Sequence, residues 1–321
     1  MATRTISTAL RGVFIGSGSD GMQLEMYASE IFNMVEKVTP KVLYVGTATY
    51  DAASSEKSQT SKLQEMGATV DRITLHENVE SATAKFAEAD IIVVSGGNTL
   101  FAVDRWKHLG IDHLFKQAGD RGCVLSGGSA GAIIAFESGH SDSGDPESFY
   151  TSVNMNQHDW TYVRVDGLNL LPGLCCPHYD KVQSNGVLRA IDFDSMLLRH
   201  SGECGIGIDH WAALKVDGEN YVVLSPPGKE GSVLDDGTFS PERKGRPGVW
   251  TLQVVSGDED DNTVVQRTLA PSSGLLVDLL RPATMLLEDP HIAGIRMKNP
   301  ASNFEKQVVV DDSVEAASKK E

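Results

Sequence analysis

The sequence predicts an α/β protein built on a doubly wound, mostly parallel sheet flanked by helices. Three observations carry that expectation. Apolar strand-like runs alternate with segments of helical periodicity from Arg11 to Ile134. The run Asp90-Ile-Ile-Val-Val94 is almost wholly β-branched, as in parallel strands buried on both faces. Several such runs end in loops rich in glycine and serine, at the carboxyl edge where doubly wound sheets bind ligands.

In chain order, Arg11 to Ile15 is a strand entering the loop Gly16-Ser-Gly-Ser-Asp-Gly21. Gly16, Gly18 and Gly21 match the dinucleotide pattern G-x-G-x-x-G. The next strand, Lys41 to Val45, ends in Gly-Thr-Ala-Thr with no acid for a ribose, so the glycines are read as a tight turn instead. Helical spacing predicts helices over 25–38 and 54–66, alternation a strand over 69–75, and an alanine-rich pattern a helix over 77–88. The 90–94 strand leads through Ser95-Gly-Gly-Asn-Thr99 into a helix over 100–106. A helix over 112–121 and a strand over 122–125 follow.

Further on, 137–146 reads as a polar loop carrying His140, Asp142 and Asp145. An apolar strand then ends at Pro177-His178, and a helix over 186–200 carries Arg189 near its start. Residues 205–211 form a strand, and 212–224 a hairpin about Asp217-Gly218. After Ser225 proline, glycine and charge dominate. A strand over 249–255, an acidic turn over 257–262 and short apolar runs over 275–280 and 285–287 remain, with 313–321 expected to be disordered. The expected division is a catalytic α/β domain, 1–255, and a C-terminal extension, 256–321. That extension could complete the fold, form a homodimer face or cover the active site.

Composition narrows the function. The 321 residues hold 28 Lys plus Arg against 44 Asp plus Glu, a formal charge of −16, which disfavours nucleic acid and anionic membrane as partners. Four cysteines without a C-x-x-C pair read as reduced thiols of a cytoplasmic protein. The N-terminus has no apolar signal segment, and no apolar run reaches the ~18 residues of a membrane span. No metal or cofactor is expected.

The chemistry centres on Val124-Leu-Ser-Gly-Gly-Ser129-Ala-Gly-Ala-Ile-Ile134, which satisfies G-x-S-x-G with Gly127, Ser129 and Gly131. A serine on a sharp strand-to-helix turn needs small neighbours, because the backbone there is crowded. Backbone N–H groups beyond it can hold an oxyanion. Serine also needs a base, and the base an acid to orient it. His178 is the preferred base among nine histidines, since its strand ends at the same sheet edge. A Ser-His pair with an ordinary histidine would gain activity through roughly pH 6–7.

Four ordered runs, Val94-Ser-Gly-Gly-Asn-Thr99, Ser126-Gly-Gly-Ser-Ala-Gly-Ala132, Ser141-Asp-Ser143 and Leu171-Pro-Gly-Leu-Cys-Cys-Pro-His-Tyr-Asp180, resemble the dipeptidase E and cyanophycinase family of serine peptidases. The resemblance covers about residues 10 to 225. It implies a class I glutamine amidotransferase-like fold with serine in place of the amidotransferase cysteine. It makes Ser129 the nucleophile, His178 the base, and the amides of Gly97 and Ala130 the oxyanion hole, with Asn98 beside the hole binding substrate. The family's acid falls in the segment Gly207-Ile-Asp-His210. Asp209 is taken as the third triad member, although several relatives place the acid one position later, where this chain has His210; Asp142 is the fallback. Arg189, spaced like the family's arginine, would hold the carboxylate of an N-terminal aspartate bidentately. The implied activity is cleavage of small peptides after an N-terminal aspartate. The alternatives are a cyanophycinase-like β-aspartyl hydrolase, whose arginines an acidic rim would suit, and a binding protein with a decayed triad.

Overall fold

The computed structural model describes residues 9–151, 159–242, 244–256 and 263–302. The first half is a repeated strand-helix unit. Strand β1 (Arg11–Ile15) leads through the glycine loop into α1 (Ser19–Met22) and α2 (Glu25–Asn33). Then come β2 (Lys41–Val45), α3 (Ala53–Glu65), β3 (Thr69–Ile73), α4 (Val79–Glu88), β4 (Ile91–Val94), α5 (Thr99–Leu109), α6 (Asp112–Asp120) and β5 (Val124–Gly128). All five strands run parallel, in the order β1-β5-β4-β2-β3. The predicted elements are present with ends displaced by a few residues. Two helix starts show why they begin where they do: Asn78 and Asn98 cap α4 and α5, accepting the N–H of Ser81 and Phe101. Gly110, at φ 70°, ends α5 in the left-handed conformation.

After the short helix α7 (Ala130–Ile133) the chain leaves this sheet and builds a second one. Strands β6 (Phe136–Ser141), β8 (Leu171–Cys176) and β9 (Gly205–Ile208) are parallel neighbours, and β7 (Val163–Asp166) pairs antiparallel with β6. The polar loop expected over 137–146 is therefore, in its first half, a buried strand. Its polar side chains are satisfied inside the protein: Glu137 accepts the N–H of Gly173, Ser138 donates to Glu203, and His140 bonds Asp192. The helix α8 (Arg189–Arg199) packs its apolar face, Phe193, Met196 and Leu197, against β8.

The hairpin β10 (Ala213–Asp217) and β11 (Asn220–Leu224) returns to the first sheet beside β1. Strands β12 (Val249–Ser256) and β13 (Thr263–Leu269) extend the second sheet from β9, and β14 (Ser273–Leu275) closes the first against β11. The expected boundary at 255/256 thus falls within β12, and strands from both sides of it share one sheet. The apolar run at 275–280 forms the short helix α9 (Leu276–Leu279), and α10 (Ile292–Lys298) follows. The extension is tied to the body by polar contacts. Ala283 N–H donates to Glu137, Asp289 accepts the Arg164 N–H, and Arg296 meets Asp104 through two bonds of 2.7 and 2.9 Å. The turn expected over 257–262 and the tail over 313–321 lie outside the described residues. No described helix is long and apolar enough to cross a membrane.

Candidate active site

Ser129 is the hinge between β5 and α7. Its backbone sits at φ 55°, ψ −117°, a conformation that favours glycine, and its N–H donates to Ile15 O at 3.1 Å. The glycines around it are required by close approach. A Cβ on Gly128 would run into Ser17 O, and one on Gly131 into Val94 O. The carboxyl ends of β1 and β4 therefore close directly on the serine turn.

The loop after β4 supplies the facing wall. Gly97 adopts φ 116°, and a Cβ there would strike Ala48 O. Neither the Gly97 nor the Ala130 amide donates to a protein acceptor among the described residues. Both amides are thus free to donate to a bound group. Asn98 does not share that duty: its side chain is buried, its oxygen capping α5 and its nitrogen bonding Ser148 Oγ at 2.8 Å. These bonds hold the loop in place, and they already engage both ends of the amide that was expected to bind substrate.

His178 follows β8 and also has a strained backbone, at φ 50°. Its N–H donates to Gly16 O at 3.0 Å, and the next amide, Tyr179, donates to Ile208 O at 3.0 Å. His178 is thus held between the glycine loop and β9. Ser129 and His178 line one cavity of about 270 Å³ together with Gly18, Ser19, Asp20, Thr49, Ser55, Gln59, Gly96 and Gly97. Gln59 is buried, and its side-chain oxygen has no partner among the described residues.

The imidazole of His178 is pushed well below its ordinary value. Burial dominates, with Arg189, His210 and Lys181 adding to it. That shift favours the neutral ring, the form that can accept a proton. The sign is direct: only protonated His178 is unable to accept the serine proton, so a lowered pKa preserves activity into acid. The acid limb of kcat/KM is expected below pH 6.5, not through pH 6–7, and a pH-rate profile checks it.

The Asp209 carboxylate faces away from His178. Asp209 is fully buried, and its carboxylate accepts the backbone N–H of Ser232 and of Gly248, each at 2.9 Å, and the Ser232 hydroxyl at 2.7 Å. Burial, and then the charge of Asp180, push this carboxyl up to about 7. Neighbouring residues leaving an extended segment face opposite ways. With Asp209 turned toward 232 and 248, it is His210 that meets His178, Nδ1 to Nδ1 at 2.8 Å. Asp142 is engaged elsewhere, 3.4 Å from the Arg189 guanidinium.

Arg189 is fully buried and is not among the residues lining the cavity. It donates to His140 O at 2.6 Å, and its guanidinium lies 5.0 Å from the centre of the Tyr162 ring. Sequence reasoning missed Asp20 and Gln59 in the cavity. The only signal for Asp20 was its place in the glycine loop that had been weighed for dinucleotides.

Comparison with known proteins identifies the family. A Trypanosoma brucei brucei protein named G2/mitotic-specific cyclin-1 is 27% identical over 95% of this chain and 98% of its own, so the likeness runs through the C-terminal extension. The uncharacterized peptidase YgaJ of Bacillus subtilis is 31% identical over 50% of this chain and 63% of its own. A peptidase from an acI-B1 Actinobacterium shares the fold, with a TM-score of 0.51 at 16% identity over 67% of this chain and 87% of its own. The family model of peptidase family S51 matches residues 13–224, which takes in the glycine loop, the serine turn and the histidine. The chain belongs to peptidase family S51.

Proposed function

We propose that this protein is a serine peptidase of the dipeptidase E type that hydrolyses short peptides through an acyl-enzyme. The observation that carries the reading is Ser129 held at φ 55° on the strand-helix turn, with His178 lining the same small cavity. Ser129 Oγ attacks the peptide carbonyl as its proton passes to His178 Nε2. The oxyanion is received by the Gly97 and Ala130 amides. The same proton goes to the leaving amine as the C–N bond breaks, and water then repeats the cycle on the ester. A cavity of about 270 Å³ suits a short peptide rather than a folded chain.

Preference for an N-terminal aspartate would call for a cation, and Arg189 is the family-based choice. Its guanidinium already faces Asp142 and His140. A second reading is favoured by the cavity itself. Its lining carries the Asp20 carboxylate and the unpartnered Gln59 oxygen, and neither lysine nor arginine. Such a wall suits a donor-bearing group, as in β-aspartyl-arginine.

A panel of aspartyl-leucine, β-aspartyl-arginine, N-acetyl-aspartyl-leucine and a neutral dipeptide separates these readings. Turnover of any of them that vanishes in Ser129→Ala is the expected result. Cleavage of aspartyl-leucine alone would select the aspartyl reading, and of β-aspartyl-arginine the second. Turnover of none, or turnover that survives the substitution, would overturn the peptidase reading.

A further inference from the structure

The geometry points to a base-orienting relay in which His210 and Asp20 together replace the single acid of the triad. This inference rests on the reading of Ser129 as nucleophile and His178 as base. His178 Nδ1 lies 2.8 Å from His210 Nδ1, and His210 Nε2 lies 3.3 Å from Asp20 Oδ2. One proton arrangement suits both contacts. Asp20 is a carboxylate and only accepts, so His210 carries its proton on Nε2. Its Nδ1 is then an acceptor, and His178 must carry its own proton on Nδ1. That leaves His178 Nε2 with a free lone pair for the Ser129 proton. A carboxylate two rings away thus selects the reactive tautomer of the base, the duty usually given to an adjacent acid.

The backbone holds each member in place. The His210 N–H donates to Asp180 at 2.7 Å, and the Trp211 ring packs edge-on at 4.5 Å between centres. His178 N–H is bonded to Gly16 O, and Gly16 N–H to Ala212 O, so the glycine loop is stitched to the segments that carry both histidines, just past β8 and β9. A Cβ on Gly16 would collide with Asp209 O. The G-x-G-x-x-G loop therefore has a use that needs no nucleotide: it lets the β1 end pass close enough to β9 for Asp20 to reach His210.

The charges around the pair are mixed. Arg189 and Lys181 act on His178, and Lys181, Asp180 and Asp20 on His210. Asp20 is the negative member in line with the relay. It favours the imidazolium that forms on His178 when Ser129 is deprotonated. Asp20 is 63% exposed, so salt screens it and its effect is smaller than that of His210.

The test reads serine reactivity without a peptide substrate. A fluorophosphonate phosphonylates Ser129 Oγ with loss of fluoride, the serine proton passing to His178. Labelling is followed against pH for the wild type, Asp20→Asn, His210→Ala and His210→Asn. His210→Ala is expected to slow labelling by roughly 10²–10³-fold. His210→Asn, whose carbonyl can accept the His178 Nδ1–H, should recover part of that rate. Asp20→Asn is expected to slow labelling by about tenfold and to move the acid limb to lower pH, because a negative charge that stabilises imidazolium is gone. Circular dichroism melts establish that each variant is folded, and Asp20, on the surface, is the variant least exposed to folding loss. Labelling of Asp20→Asn at the wild-type rate with an unmoved limb would overturn the relay while leaving the peptidase reading intact. A wild type that does not label at Ser129 would overturn both.

Discussion

Ser129→Gly is expected to abolish hydrolysis and at the same time to stabilise the fold. Removing the nucleophile should cost roughly 10⁴-fold or more in kcat, leaving only what the oxyanion donors and binding provide. The stability gain comes from the backbone. At φ 55°, ψ −117° a Cβ is strained by about 1–3 kcal/mol. Glycine relieves that strain and loses part of the gain to its larger unfolded entropy, so a net gain of about 1 kcal/mol is expected. Ser129→Ala separates the two effects. It should be as inactive as the glycine variant without its extra stability, since alanine keeps the Cβ. Urea unfolding of both variants beside the wild type measures the difference. Equal stability of the glycine and alanine variants would show that the turn stores no strain.

The largest stability effect is expected at Arg164, far from the chemistry. Its guanidinium is 2% exposed and bonds Glu203 at 2.7 Å, and the Glu203 side chain is completely buried. Ser138 donates to the same carboxylate. Arg164→Met would leave Glu203 charged in an apolar interior and should cost about 3–5 kcal/mol. The double substitution Arg164→Met/Glu203→Leu removes both charges and should recover most of that loss. Because Arg164 also donates its backbone N–H to Asp289, this pair lies where the C-terminal extension is anchored to β7. Denaturant unfolding of the two single variants and the double closes the cycle. A double variant as unstable as the single would mean that packing around Arg164, and not the buried charge, dominates.

The first sheet was legible because each of its parts is local. The β-branched run of β4 and the glycines of β5 announce buried strands and a tight turn within a few residues. The serine and histidine were legible for the same reason, each carrying its own loop signature. The second sheet was not. Phe136-Glu-Ser-Gly-His-Ser141 reads as a loop by composition, and becomes a strand because Glu203, Asp192 and two backbone amides reach it from distant positions. Binding roles for Asn98 and Arg189 are what the family resemblance implies. Their hydrogen bonds to Ser148, His140 and Asp142 only exist once the chain has folded.

Periodicity, glycine spacing and turn chemistry act over short stretches of chain, and for that reason the α/β class and the family could be read without a structure, and Ser129 and His178 could be singled out as candidates. Which groups surround that pair was decided by tertiary structure alone. Asp209 and His210 are consecutive, and one step of backbone turns the carboxylate toward Ser232 and Gly248 and the imidazole toward His178. Asp20 reaches the same cluster from a loop 158 residues before His178, because hydrogen bonds at the sheet edge bring the two together.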